Sequence, residues 1–310
     1  MHVPVLPGPV VEWLRIAPGG TYVDCTAGFG GHAELICRQL SGGQLVALDR
    51  DPEAVVRVRE RLAPFGCAHV VQANYGELVR VLPEFGIARV DGVLIDAGIS
   101  SMQLDDPRRG FSFQVDGPLD MRLDTTQVRT ARQYLAESSE EQIAGVLKEY
   151  GDVRPAHRIA KAIKQRANHN ALHTTFDLKS AVCEALPFVN GVPEEVRTVF
   201  QAVRIAVNDE YRHLELGIGA AIDALAPGGR IVVIAFHSGE DRFVKNVFRD
   251  ESRPRRTFAA DGRVASVQPP RLRVLTPKPV LADEEEVDLN PRAHSAKLRA
   301  AERLNEEDAA

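Results

Sequence analysis

The first third of the chain alternates short apolar stretches with longer segments of helical periodicity. Four stretches are short, apolar and rich in β-branched residues, namely 21–26, 45–49, 69–73 and 92–98. The segments between them have the length and spacing of amphipathic helices. Strands that alternate with helices of this kind form βαβ units, in which the strands are parallel. The pattern therefore predicts an α/β domain with a mostly parallel, Rossmann-like sheet.

This alternation stops after Asp96 and returns much later in the chain. Residues 105–195 contain a Gly/Pro/Asp-rich run and then several helical patterns, with no convincing strand. A fifth apolar strand is predicted within 226–237, after a long helix. We therefore predict one sheet domain, formed by 1–104 and 196–310, that is interrupted by a helical insertion domain at 105–195.

Residues 250–310 are predicted to form a basic tail that ends in a short helix. Asn290 is a favourable N-cap, and Pro291 suits the first helical position. The segment 252–282 carries seven basic residues and one acidic residue, Asp261. The formal net charge of −5 gives no global sign of nucleic-acid binding, but this local cluster is a candidate RNA-binding surface.

Several classes of protein are disfavoured by the composition. No apolar run approaches the roughly 18–20 residues that span a bilayer, and the N-terminus lacks the basic and apolar regions of a secretory signal. We therefore expect a cytoplasmic protein without a membrane partner. The four cysteines have no metal-ligand spacing, and His169 and His173 lack a third ligand nearby, so no metal is predicted.

A glycine-rich loop follows the first predicted strand. The segment 28–33 satisfies the pattern G-x-G-x-x-G/A, and Asp49 ends the second strand about 20 residues further on, as in a dinucleotide fold. An S-adenosylmethionine site uses the same geometry, with the loop under the amino acid and ribose and the acid on the ribose hydroxyls. The loop therefore predicts a nucleoside-containing cofactor and does not by itself identify it.

Two further carboxylates favour S-adenosylmethionine over NAD. Asp24 ends the first strand, where it could bind the methionine ammonium but would repel a pyrophosphate. Asp96 ends the fourth strand, where the pocket of a doubly wound sheet opens. The alternative interpretation is that both residues only cap helices or hold turns. An NAD-dependent oxidoreductase therefore stays as an alternative function.

The loop after the fourth strand restricts the chemistry of the methyl acceptor. Its sequence, DAGISSMQ, contains no cysteine, which methylation at carbon 5 of cytosine requires as a nucleophile. It also lacks the Asp/Asn-Pro-Pro-aromatic motif that many amino-methylating enzymes carry. The residues alone thus favour a nitrogen or oxygen acceptor and leave open which nucleic-acid N- or O-methyltransferase this would be.

Longer motifs resemble those of one family. They occur in order through nearly the whole chain and include DCTAGFGGH, RGFSFQVDGPLDMRLD, RTVFQAVRIAVNDE, IAFHSGEDRFVK and NPRAHSAKLRAAER. The chain is thus similar to the bacterial 16S rRNA (cytosine-N4)-methyltransferase family, RsmH or MraW. The resemblance implies a class I S-adenosylmethionine-dependent methyltransferase that modifies the exocyclic amine of a cytidine in the decoding region of 16S rRNA.

The resemblance also implies a set of donor-binding residues. These are Gly30, Gly31, His32, Asp49, Tyr75, Asp96 and Gln103. For catalysis, we expect Asp96 to polarise the amine or hold the donor, and His237 or Asn208 to contact the base. Ala97 and Gly239 stand where the family usually has leucine, so a ribosome-assembly protein with weak or no turnover is a further alternative.

The implied partner is 16S rRNA within the small ribosomal subunit, and the resemblance also suggests a homodimer. The insertion domain, 105–195, would then recognise rRNA. Within it, Arg108, Arg109 and Arg122 either form a mobile phosphate-binding lid or belong to an ordered Ω-loop in which they pair with its aspartates. A basic stripe is also expected on a following helix, at Arg154, Arg158 and Lys161.

Overall fold

The computed structural model describes residues 4–258 and 263–305, and the chain divides into two compact units. The first unit is formed by Met1–Gly98 with His213–Ala310, and the second by Ile99–Arg212. The boundaries between the two units are thus at 98/99 and 212/213, whereas the sequence analysis placed them at 104/105 and 195/196. The one acidic residue of the basic segment, Asp261, lies outside the described residues.

All of the strands found in the described residues belong to the first unit. They are Thr21–Asp24 (β1), Gln44–Asp49 (β2), Ala68–Gln72 (β3), Val90–Asp96 (β4), Leu225–Ala235 (β5), Arg255–Phe258 (β6), Val264–Gln268 (β7), Leu272–Val274 (β8) and Lys297–Arg303 (β9). The main sheet has the order β3-β2-β1-β4-β5-β9-β8, and β6 pairs with β7 in a separate ribbon. Strands β1 to β5 are parallel, which confirms the predicted α/β sheet.

The helices follow the predicted alternation in the first unit and dominate the second. They are Pro7–Leu14 (α1), Gly31–Cys37 (α2), Pro52–Leu62 (α3), Leu78–Glu84 (α4), Ser101–Asp105 (α5), Ala131–Glu137 (α6), Glu140–Gly151 (α7), Ala156–Asn168 (α8), Thr175–Ala185 (α9), Glu195–Asn208 (α10), Glu210–Ala224 (α11), Ser238–Glu251 (α12) and Glu284–Leu289 (α13). In the part of the chain that the structure describes, none of them has the length and apolar character needed to cross a membrane.

The order of the parallel strands determines where a ligand can bind. β1 lies between β2 and β4, so the chain reverses its direction of winding at the β1/β4 pair. In open α/β sheets, ligands bind beyond the carboxyl ends of the strands at this switch point. Asp24 and Asp96 are the last residues of these two strands. The topology therefore places two predicted site residues at the expected edge.

The second unit is a helical bundle with its own apolar core. Helix α7 packs against both α8 and α10. Val196, Val199 and Val203 of α10 are fully buried in this core. The expected boundary at residue 196 is therefore too early, because the apolar face of α10 is needed to complete the helical core. A single long helix was expected here, but Asp209, at φ +49°, separates α10 from α11.

The C-terminal segment differs most from the prediction. The Asn290 side chain does accept a hydrogen bond from the Arg292 N–H, at 3.4 Å, but only a short 3-10 turn, Pro291–Ser295, follows. The expected C-terminal helix is instead β9, which lies between β5 and β8. Leu298 and Ala300 are fully buried there. The free edge of β5 thus overrides the helical propensity of this segment, and the described residues of 250–310 contribute β8 and β9 to the main sheet.

Candidate active site

Asp49 ties the glycine loop to the end of β2. Its Oδ2 accepts a hydrogen bond from the Gly28 N–H at 2.7 Å, and its Oδ1 accepts one from the Asp51 N–H at 2.8 Å. Gly28 and Gly30 have φ values of +54° and +78°, which glycine adopts without strain. Helix α2 begins directly after the loop, at Gly31. The loop therefore has the conformation that close approach of a ligand to the backbone requires.

Arg61 supports the glycine loop from α3. Its Nη1 donates to the Phe29 carbonyl at 3.0 Å, and its Nε donates to Glu34 Oε2 at 2.5 Å. A Cβ atom on Gly30 would lie 3.1 Å from Arg61 Cδ. Nothing in the sequence singles out Arg61, because its role depends on α3 packing beside the loop.

Two carboxylates, the buried Asp24 and the partly buried Asp96, lie at the ends of the neighbouring strands β1 and β4. Thr26 links them, since its N–H donates to Asp24 Oδ1 at 3.1 Å and its Oγ1 accepts from the Asp96 N–H at 2.6 Å. Among the residues that the structure describes, Asp24 Oδ2 and Asp96 Oδ1 are buried without a hydrogen-bond partner. Burying such an oxygen is costly, so this pair is suited to a ligand that carries positive charge or hydrogen-bond donors.

Burial is the main cause of raised pKa values in these carboxyl groups. It raises the pKa of Asp24 to about 7, against the hydrogen bond from Thr26, and that of Asp49 to about 6. The pKa of Asp96 is raised well above its ordinary value by burial and by the charges of Asp24 and Glu240. A bound cation would oppose these effects and favour the ionised forms.

His32 lies between the N-terminal segment and the end of β4. Its Nε2 is 2.7 Å from the Val5 carbonyl oxygen, so Nε2 carries a hydrogen and donates it. Its Nδ1 then faces Asp96 Oδ2 at 3.6 Å. The imidazole is buried and lies beside the Asp96 carboxylate.

Tyr75 is buried beside α11. It begins the 3-10 turn Tyr75–Glu77, which a capping box at Asn74 holds. Its ring contacts Gly217 so closely that a Cβ atom on Gly217 would lie 2.4 Å from Tyr75 Cδ2. Sequence reasoning missed Gly217, although a glycine within a helix is a recognised sign of close packing.

His237 follows β5 and is the N-cap residue of α12. Its Nδ1 accepts a hydrogen bond from the Glu240 N–H at 3.3 Å, and its Nε2 lies 3.0 Å from Glu240 Oε1. Glu240 Oε2 in turn accepts from the Phe236 N–H at 2.9 Å. Because β4 and β5 are parallel and Asp96 pairs with Ile234, His237 lies at the same edge as the carboxylates. Glu240 was missed in the sequence, where it resembles an ordinary first-turn acid.

Asn208 is a structural residue of the second unit. Its side chain is 1% exposed. Its Oδ1 accepts from the Leu123 N–H at 2.7 Å, while Nδ2 donates to the carbonyls of Met121 at 2.7 Å and Arg204 at 2.8 Å. Both amide hydrogens are therefore used by the backbone, which is at odds with the expected contact to a substrate base.

Gln103 also lies in the second unit, near the start of α5. It forms a capping box with Ser100, in which the Ser100 N–H donates to Gln103 Oε1 at 3.0 Å. These contacts within the second unit do not test the expected contact of Gln103 with the methyl donor. It stays a prediction from the family resemblance.

The arginines of the Gly/Pro/Asp-rich loop have partners within the loop. Arg108 pairs with Asp106, and Arg122 pairs with Asp120, each at 2.7 Å. Arg109 is buried and donates to the carbonyls of residues 122 and 123 at 3.0 Å. These contacts support the ordered Ω-loop over the phosphate-binding lid.

No metal centre emerges from the described ranges, in which no group of three or more His, Cys, Asp or Glu side chains could hold an ion. His169 Nδ1 instead lies 2.7 Å from the Gln165 carbonyl, and His173 Nε2 lies 2.7 Å from that of Asn170.

Comparison with known proteins identifies the family. The family model described as the MraW methylase family matches residues 1–304. The ribosomal RNA small subunit methyltransferase H of Carboxydothermus hydrogenoformans is 44% identical over 306 residues, with 98% of each chain covered. The proteins of the same name from Geobacter sulfurreducens and Methylococcus capsulatus are each 47% identical, over 98% and 95% of this chain and 99% and 98% of their own. The chain therefore belongs to the MraW methylase family.

Proposed function

We propose that this methylase transfers a methyl group from S-adenosylmethionine to the exocyclic N4 amine of a cytidine in the decoding region of 16S rRNA. The names of its relatives support small-subunit rRNA as the substrate. The N4 position and the decoding region rest on the resemblance of the sequence motifs. The observation that carries the proposal is the pair of buried oxygens without partners, on Asp24 and Asp96, at the ends of two neighbouring parallel strands.

The residues at this edge fit a donor that carries an ammonium group and a ribose diol. Asp24 Oδ2 would accept hydrogen bonds from the ammonium. Asp49 uses each oxygen for one backbone N–H and keeps acceptor capacity for the ribose hydroxyls. Gly30 and Gly31 would let the loop backbone approach the donor, and Tyr75 would lie beside the adenine. When bound, the donor supplies a methyl group that its sulfonium already activates for transfer.

Asp96 is the proposed proton acceptor. The cytosine amine must lose a proton during or after methylation, and Asp96 Oδ1 has no protein partner among the described residues that would compete for it. Its raised pKa makes the carboxylate a stronger base than an exposed aspartate. His32 lies beside Asp96, and His237, held by Glu240, is the proposed contact to the base. Asn208 is not included, because the backbone occupies its amide.

The proposal extends to the setting of the reaction. It includes the assembled small subunit as substrate, a cytoplasmic location, a homodimer, and rRNA recognition by the helical unit Ile99–Arg212. The sequence resemblance supports the subunit, the homodimer and rRNA recognition, and the location is the expectation from the pattern of apolar and basic residues. An NAD-dependent oxidoreductase is disfavoured by the family and by Asp24, whose carboxylate beside the glycine loop would repel a pyrophosphate.

The test is methyl transfer with labelled S-adenosylmethionine to small subunits that lack the modification, followed by mass spectrometry of the rRNA. We expect label at one cytidine. Asp96→Asn should lower kcat by about 10²–10⁴-fold while calorimetric donor affinity changes little. Asp250→Asn, a change at an exposed position, is the matched control. Full activity of Asp96→Asn would remove Asp96 from the mechanism, and absence of label would favour an assembly protein without turnover.

A further inference from the structure

An arginine-lined cavity lies in the first unit, away from the candidate active site. Its volume is about 620 Å³, and its lining includes Arg253, Arg255, Arg271 and Arg303 against a single carboxylate, Glu251. The nearby Asp223 accepts from Arg271 Nη1 at 2.6 Å. The positive charges therefore outnumber the negative ones in and around the cavity.

The fold places this cavity at the opposite edge of the sheet from the carboxylate site. Helix α12 begins after His237, at the carboxyl edge, and ends 14 residues later at Glu251, which corresponds to ~20 Å. Strand β9 runs antiparallel to β5, and Arg303 lies beyond the level of Arg230, near the amino end of β5. A ligand in this cavity is thus neither the methyl donor nor the base that reacts.

Glu251 holds two of the arginines in place. It is buried, its Oε1 pairs with Arg255, and its Oε2 accepts from Arg271 Nε at 2.6 Å. The backbone carbonyl of Glu251 also accepts from the Arg271 N–H at 2.8 Å. Because each guanidinium has five N–H donors, both arginines keep donors for a further acceptor. Their fixed positions reduce the entropy that binding would cost.

The positive charges of two other arginines of the cavity are not paired with a carboxylate in the described residues. Arg253 is exposed and makes no hydrogen bond or ion pair with any residue in the described ranges. Arg303 donates to the Ile222 carbonyl at 3.1 Å and has no carboxylate partner there. Burial is the main cause that lowers the pKa of Arg303, and the charges of Arg271 and Arg89 lower it further, against the opposite effect of Asp223 and Glu251.

We propose that this arginine cavity binds backbone phosphates of the RNA substrate, as a contact remote from the reacting cytidine. Guanidinium groups bind phosphate oxygens in a bidentate manner and are the preferred side chains for this ligand. The cavity lies at the base of the β6–β7 ribbon, which carries the exposed Arg256 beside Arg255. An extended polyanion can contact both this edge and the carboxylate edge. The choice of RNA as ligand rests on the proposed function.

The test compares Arg253→Ala and the double variant Arg253→Ala/Arg255→Ala with the wild type. Binding of transcribed 16S rRNA and of the isolated small subunit is measured at several salt concentrations. We expect RNA affinity to fall about fivefold to tenfold for the single variant and further for the double variant. The slope of log K against log salt should fall by about 0.7–0.9 for each lost contact. Arg59→Ala removes an exposed arginine from α3 and is the control for net charge.

Calorimetric titration with S-adenosylmethionine and thermal unfolding show whether the variants keep the donor site and the fold. In the methylation assay, the expected change is a higher KM for the subunit. Unchanged RNA affinity and salt slope in the double variant would overturn the proposal. Tripolyphosphate binding to the wild type and the variants is measured as well. If the variants lose tripolyphosphate binding but keep their RNA affinity, the cavity holds a small anion and the proposal is overturned. If the wild type labels no cytidine but both variants lose RNA affinity, the proposed reaction fails and the RNA contact stands.

Discussion

Asp24 has opposite effects on stability and on binding. It is 1% exposed, and burial raises its pKa to about 7, whereas an unfolded aspartate has a pKa of about 3.9. Between these two values the folded state keeps a proton that the unfolded state has released. The free energy of unfolding therefore falls as pH rises from about 4 to about 7, and it stays lowered above that range. Under the proposed function, the ligand-free protein bears this cost to keep a carboxylate for the donor.

Asp24→Asn should therefore stabilise the ligand-free protein at pH 8 and impair donor binding. The neutral amide avoids the buried charge, which corresponds to a gain on the order of 1–4 kcal/mol. The gain should shrink toward zero at pH 4, where the wild-type carboxyl is also neutral. Denaturant unfolding at both pH values measures the first effect, and calorimetric titration with S-adenosylmethionine measures the expected affinity loss of at least about tenfold.

The exposed Asp250→Asn change should leave both quantities unaltered. A lower stability of Asp24→Asn at pH 8 would contradict this prediction, because it would mean that interactions in the folded protein stabilise the Asp24 carboxylate by more than its burial costs.

Helix α11 packs against Tyr75, a residue of the proposed donor site, through a glycine. Gly217 permits the Tyr75 ring to lie against the helix backbone, whereas a Cβ atom at Gly219 would meet nothing within 4 Å. Each glycine has the same intrinsic cost to helix stability. A difference between the effects of alanine substitution at the two positions therefore reports the contact with Tyr75.

We expect Gly217→Ala to lower stability by about 1–3 kcal/mol and to weaken donor binding, because the added methyl group displaces the Tyr75 ring. Gly219→Ala should instead raise stability by about 0.5–1 kcal/mol and leave donor affinity unchanged. Chemical denaturation and calorimetric titration of the two variants give the comparison. Equal behaviour of both would show that the close approach at Gly217 is dispensable.

The local pattern of apolar and polar residues was sufficient to predict the parallel strands. It was insufficient to predict contacts between segments that are distant in the sequence. The apolar runs that end in Asp24, Asp49 and Asp96 predicted β1, β2 and β4 and the edge where their carboxylates meet. A short helix was predicted after Asn290 and Pro291 because these residues suit a helix start, whereas pairing with the free edge of β5 makes Lys297–Arg303 a strand. Glu240 could not be predicted either, since its role depends on α12 folding beside the end of β4.

The first unit is discontinuous in sequence, and its sheet depends on a strand from the far end of the chain. β9 pairs with β5 on one side and with β8 on the other, and it buries Leu298, Ala300 and Ala301 completely. Without β9, the edge of β5 and one face of the core would be open to solvent.

A chain that ends at Ala296 should therefore fail to form a stable first unit, whereas one that ends at Asn305 should fold. Losing an internal strand removes more than the about 5–15 kcal/mol by which a typical domain is stable. Circular dichroism during heating and S-adenosylmethionine titration distinguish the two chains. Cooperative melting and donor binding by the shorter chain would contradict the structural role of β9.

The place of β9 in the sheet also has a consequence for biosynthesis. A ribosome releases the chain from its N-terminus, so β5 emerges before the strand that will cover its edge. During that interval Ile231–Ile234 present unpaired backbone groups that can recruit strands from other molecules. The second unit, in contrast, is one continuous segment and has all of its helices available earlier. We expect nascent chains arrested between β5 and β9 to be the species most in need of chaperones.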